Sequence, residues 1–157
     1  MTTFSETTSS DHVGLSVGDL DSIASFYCGA FGLRANGIHV LAGGAVRTAL
    51  LTSDSGLCRE LTEISGSRPT RHTSTTRHSS VTEGAATQGW FHWALRVQDL
   101  KTVLAAVITL GGSMITEPAL VQTRPGIVFA YGSDLEGNLL EPTQATDSPT
   151  QPASSAA

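Results

Sequence analysis

Polar and apolar residues alternate over residues 12–17 and again over 92–96, and in both places an Asp then opens a stretch with apolar residues at helical spacing. Alternation sends successive side chains to opposite faces, so each short run predicts a strand. The Asp stands where an N-cap accepts the first backbone N–H groups of a helix. Leu20, Ile23, Ala24, Tyr27 and Phe31 form the apolar stripe after the first strand; Leu100, Val103, Leu104 and Val107 form it after the second. Gly32 and the pair Gly111-Gly112 stand where a helix end calls for a residue able to take positive φ. Three β-like runs then follow each helix. The pattern predicts strands over 38–42, 46–52 and 57–64 in the first half, and over 113–116, 127–131 and 138–143 in the second, with turn residues between them.

The halves match in residue type as well as order. Asp11-His12-Val-Gly-Leu-Ser-Val-Gly-Asp19-Leu20 and Phe91-His92-Trp-Ala-Leu-Arg-Val-Gln-Asp99-Leu100 share the pattern H-x-[G/A]-L-x-V-x-D-L. At the module ends, Gly56-Leu-Cys-Arg-Glu60-Leu-Thr62 matches Gly137-Asn-Leu-Leu-Glu141-Pro-Thr143. His12 precedes Glu60 by 48 residues and His92 precedes Glu141 by 49, so a duplication carried a His and Glu pair with it. The expected organisation is a flexible N-terminus (1–10), a first βαβββ module (11–64), a linker or arm able to serve as a lid (65–89), a second module (90–144) and a disordered tail (145–157). The linker is rich in Ser, Thr, Gly and Arg without periodicity, and the tail has too little apolar surface to order itself.

Composition narrows the function classes. A chain of 157 residues with 39% hydrophobic content can bury a core of ordinary size. The formal charge of −5, with nine scattered Lys and Arg, lacks the basic patch that nucleic-acid binding requires. No apolar run approaches the roughly 20 residues of a membrane span, and no basic, apolar leader opens the chain. The expectation is a soluble, cytoplasmic protein in which Cys28 and Cys58, without CxxC spacing, are reduced packing residues.

His12, Glu60, His92 and Glu141 form a mixed nitrogen and oxygen donor set that suits nickel, cobalt, zinc, iron or manganese. Four such ligands on an octahedral ion leave two positions for adjacent oxygens of one substrate. Strand alternation puts Gly14 and Ser16 on the face of His12, and Ala94 and Arg96 on the face of His92; small neighbours leave room for a ligand. Arg96, His39 and Trp93 are candidate substrate contacts, each with a plainer reading as a solvated, outward-facing or packing residue. His72 and His78, in Arg-His pairs of the linker, read as exposed side chains, and Trp90, Phe91 and Trp93 as core or interface packing.

The first strand with the following S-F-Y-x-x-x-F-G-L, the second H-W-A-L-R-V-Q-D-L and the closing D-L-E-G-N-L-L-E resemble the vicinal oxygen chelate superfamily, which includes glyoxalase I, methylmalonyl-CoA epimerase, extradiol dioxygenases and fosfomycin-resistance proteins. The resemblance covers residues 11 to about 144. It implies an α+β fold of two tandem βαβββ modules forming a cupped mixed sheet around a central cavity. It also implies one divalent metal per site, held by His12, Glu60, His92 and Glu141, and a homodimer. The implied activity is a metal-dependent lyase or isomerase acting on a small carbonyl substrate, with Glu141 and Glu60 as catalytic carboxylates. The epimerase usually has Gln at the position of Glu60, and extradiol dioxygenases use two His and one Glu. No glutathione-binding set is recognisable, which leaves the substrate open. The alternatives are a drug- or metabolite-sequestering protein without turnover and an iron-dependent dioxygenase.

Overall fold

A computed structural model of the chain describes residues 10–68, 81–86 and 90–146. The chain divides into two compact units, Met1–Arg68 and Pro69–Ala157. The expectations for His72, His78 and residues 147–157 lie outside the described residues. Among the described residues no helix is long and apolar enough to cross a membrane.

The first unit runs β1 (Val13–Val17), α1 (Leu20–Phe31), β2 (Arg34–Ala35), β3 (His39–Leu41), β4 (Val46–Thr52) and β5 (Cys58–Ile64). β1 lies parallel to β5, and β4 pairs antiparallel with β5, β3 and β2, giving a five-stranded mixed sheet. The Asp19 carboxylate caps α1, accepting the Ser22 backbone N–H at 3.0 Å and its hydroxyl at 2.7 Å. Gly32, at φ 66°, ends the helix in the left-handed conformation and donates its N–H to Cys28. Leu20, Ile23, Ala24, Phe26, Tyr27 and Ala30 are buried on α1, as are Val17, Ala49, Leu51 and Leu61 on the strands. Each large apolar side chain so buried contributes about 1.5–3 kcal/mol.

The second unit runs α2 (Val81–Ala85), β6 (His92–Arg96), α3 (Leu100–Thr109), β7 (Ser113–Met114), β8 (Ala119–Leu120), β9 (Ile127–Phe129), β10 (Gly132–Ser133) and β11 (Leu139–Ala145). β6 is parallel to β11; β11 pairs antiparallel with β9 and β10, which pair in turn with β8 and β7. Asp99 caps α3 as Asp19 caps α1, accepting from the backbone and hydroxyl of Thr102. Leu100, Leu104 and Ala130 form a buried cluster with Val97, Met114 and Val128 packed against it. A Cβ at Gly112 would stand 2.5 Å from the Ser133 carbonyl and one at Gly132 2.8 Å from that of Ser113, so only glycine permits this strand approach.

Both units therefore have the α+β order that the repeat predicts, with local differences. The two-residue strands β2 and β8 are too short to show alternation. The run expected over 127–131 stops at Phe129 as β9, and β10 follows at Gly132, because Pro142 opposite Ala130 has no N–H; only the Ala130 N–H to Pro142 carbonyl bond, 3.3 Å, remains of that pair. The short helix α2 lies inside the segment expected to be a linker, and β11 extends to Ala145, one residue into the expected tail.

Candidate metal centre

In the first unit, the parallel register pairs Gly14 with Glu60 and Ser16 with Thr62. The face of Gly14 therefore carries Glu60, and His12, two residues earlier, shares it. The His12 Nε2 stands 3.6 Å from the Glu60 Oε2, and its Nδ1 is 2.6 Å from Asp11 Oδ1. The Asp11 hydrogen bond holds the His12 imidazole above its ordinary pKa against some loss of hydration, and the charges of Asp11 and Glu60 add to the effect. Glu60 has a second anchor in the Thr48 hydroxyl, 3.0 Å from Oε1. A Cβ on Gly14 would lie 3.9 Å from Glu60 Oε2, so glycine keeps the space beside the carboxylate open.

The second unit repeats the arrangement with different surroundings. β6 and β11 pair Leu139 with His92 and Glu141 with Ala94, which puts both donors on one face. The His92 Nε2 is 2.8 Å from Glu141 Oε2, and these side chains are less exposed (24% and 16%) than His12 and Glu60 (41% and 36%). Two aromatic rings stand against His92, and a third backs one of them. Phe91 meets His92 edge-on with ring centroids 4.3 Å apart, Tyr131 does so at 5.6 Å, and Phe129 packs on Tyr131. Burial raises the Tyr131 pKa, and the neighbouring Glu141 charge and its hydrogen bond with the Tyr131 hydroxyl raise it further.

Tyr131 is the site residue that sequence reasoning missed. The hairpin register that pairs Gly132 with Leu140 and Phe129 with Thr143 sets Tyr131 directly across from Glu141. Counting outward from the 134–137 turn was the available signal. The first unit has no counterpart, since Leu50 stands across from Glu60.

The other candidates separate by face. Arg96 is exposed on the His92 side of β6. Trp93 alternates to the other side of β6, with buried Leu95. His39 shares the His12 face through its pairing with Thr48, but it is exposed and lies two strands from Glu60, about 10 Å away at ordinary strand spacing.

Among the described residues no group of three or more His, Cys, Asp or Glu side chains is gathered for a metal ion; the donors come in pairs. Each pair turns an imidazole Nε2 toward a carboxylate oxygen, a donor chemistry that fits a divalent transition metal.

The family model for the glyoxalase/bleomycin resistance protein/dioxygenase superfamily matches residues 9–141. The chain belongs to this superfamily. Solved structures repeat the fold. A glyoxalase family protein from Bacillus cereus superposes with a TM-score of 0.72 at 18% identity, covering 93% of this chain and 99% of its own. A glyoxylase/bleomycin resistance protein/dioxygenase domain from a Frankia species gives 0.66 at 18% identity, over 90% and 95%. Glyoxalase I from Zea mays gives 0.65 at 23% identity, and the match covers 88% of this chain and 45% of the maize chain. At these identities the likeness is one of fold. No curated protein sequence matches the chain closely enough to count as a relative.

Proposed function

We propose that this superfamily member is a metal-dependent isomerase or lyase that chelates vicinal oxygens of a small carbonyl compound and moves a proton at the adjacent carbon. The observation that carries the reading is the duplicated His and Glu pair: in each unit an imidazole Nε2 meets a carboxylate oxygen, at 3.6 Å for His12 and Glu60 and at 2.8 Å for His92 and Glu141. The four donors serve one divalent ion of the nickel, cobalt, zinc, iron or manganese kind, with the two units supplied by one chain or by two. A bound ion of this kind supplies Lewis-acid polarisation of the substrate carbonyl.

The chain's own groups do the rest. Glu141, hydrogen-bonded to Tyr131, takes the proton from the carbon beside the carbonyl, and Glu60 returns it on the other side. The Tyr131 hydroxyl orients Glu141, and Thr48 orients Glu60. Arg96 offers a cation to an anionic substituent. The free thiols of Cys28 and Cys58 suit a reducing, cytoplasmic setting.

Elemental analysis of protein purified without chelator tests the reading. The expected result is one divalent ion for each set of two units, lost in the His12→Ala and His92→Ala proteins. Full metal content in both variants would overturn it. A metal-free protein that binds a small molecule without turning it over would favour the sequestering alternative, and dioxygen consumption with bound iron the dioxygenase.

A further inference from the structure

The two half-sites carry the same donor types but hold their histidines differently. Asp11 accepts at His12 Nδ1, 2.6 Å away, which puts the ring proton on Nδ1. The Nε2 lone pair is then left bare toward Glu60, and the 3.6 Å gap there is too long for a hydrogen bond. At the matching position of the second unit stands Phe91, whose side chain has no oxygen or nitrogen acceptor. His92 Nδ1 is buried and, among the described residues, has no hydrogen-bond partner. Its Nε2 lies 2.8 Å from Glu141, a hydrogen-bond distance that puts the proton on Nε2. Before Nε2 can ligate an ion, His92 must give up that hydrogen bond and carry its proton on an Nδ1 without an acceptor, which is unfavourable in a buried position.

We infer that the half-sites are unequal: Asp11 is a positioning residue that presets His12 to ligate through Nε2, and the Asp11, His12 and Glu60 half sets most of the affinity for the ion. The inference rests on the metal-binding reading above and concerns how the same site is loaded. A carboxylate behind a ligating histidine fixes its tautomer and ring orientation and raises its basicity, and its loss typically costs about 10–100-fold in affinity.

The test is a zinc titration of the full-length, metal-free chain against a chromophoric chelator, joined to nitrogen-15 NMR of the histidine rings before zinc is added. Asp11 is 94% exposed at its side chain, so replacing it leaves the fold intact, which circular dichroism checks. In the unaltered protein the expected signature is a His12 proton on Nδ1 and a His92 proton on Nε2. Asp11→Ala should lose the fixed His12 tautomer and weaken zinc binding about tenfold or more. Asp11→Asn, which keeps an acceptor oxygen without its charge, should recover part of both. His12→Ala should cost more affinity than His92→Ala. Zinc affinity or a His12 tautomer unchanged by Asp11→Ala would overturn the inference alone, as would a larger loss in His92→Ala. An unaltered chain that takes up no zinc would overturn the metal-binding reading together with it.

Discussion

The carboxylate of Glu63 accepts the backbone N–H of Leu20 at 2.8 Å, joining the strand that carries Glu60 to the first residue of α1. The second unit makes the same join with a different residue: Gln144 Oε1 accepts from the Leu100 N–H at 2.7 Å. Each clamp stands three positions beyond a candidate ligand, so alternation places ligand and clamp on opposite faces of one strand. Glu63 also meets Arg47 at 3.2 Å, and Arg47 reaches Asp21 in the first turn of α1 at 2.7 Å.

Removing a clamp leaves a helix-start N–H without its partner beside a buried leucine. Glu63→Ala and Gln144→Ala should each cost about 1–3 kcal/mol of stability. Glu63→Gln, which substitutes the chemistry of the second unit, should cost less. Thermal unfolding followed by circular dichroism checks this, and unchanged melting in both alanine variants would show that the clamps are idle.

Tyr131→Phe removes one hydroxyl and keeps the ring packed on His92 and Phe129. The expected outcome is unfolding within about 1 kcal/mol of the parent, as for loss of one ordinary hydrogen bond, with weaker metal binding. Isothermal titration with a divalent ion separates the two effects. An equal affinity would remove Tyr131 from the site.

Leu61 is fully buried where α1 meets the sheet, whereas Leu50, one strand over on the other face, is 37% exposed. Leu61→Ala should cost about 2–5 kcal/mol by lost transfer energy and the cavity left behind. Leu50→Ala should cost clearly less. Denaturant titration of the two variants gives the comparison, and equal losses would contradict the assignment of the core face.

The two helix caps predict a dependence on acid. Hydrogen bonds from the hydroxyl and then the backbone of Ser22 hold Asp19 below the usual carboxylate range, and those of Thr102 do the same for Asp99. The folded-state pKa lies below the unfolded one, so the stabilisation is complete above the unfolded value of about 3.9 and is lost as pH falls through the lower, folded value. The melting temperature of the Asp19→Asn, Asp99→Asn double variant should fall less steeply than the parent's over that acid range. Parallel curves would show that the caps do not titrate with folding.

Trp90 is 93% exposed, Val40 61% and Leu120 64%, apolar surface that a homodimer would cover. Light scattering at micromolar concentration should return twice the 16.3 kDa of one chain. A monomer mass would remove the dimer from the proposal.

Alternation and repetition were enough to read the strands that bear Glu60, His92 and Glu141 and the one that His12 immediately precedes, because each strand has one packed face and one open face. They also located α1 and α3 with their Asp caps. What escaped depended on registers between distant segments. Tyr131 meets Glu141 only through hairpin pairing and has no twin in the first unit. Glu63 and Gln144 play one role with two residue types, which a pattern of identities passes over.

Pro142 gives β11 a mechanical character that its twin β5 lacks. The missing N–H removes a rung between β11 and Ala130, immediately beside Glu141, while the parallel pairing to β6 continues through it. β11 is thus a beam braced more weakly at Pro142 than along the lengths on either side. The load from α3 enters at Gln144 on one side of that weaker point, and Glu141 sits at the tip of the other.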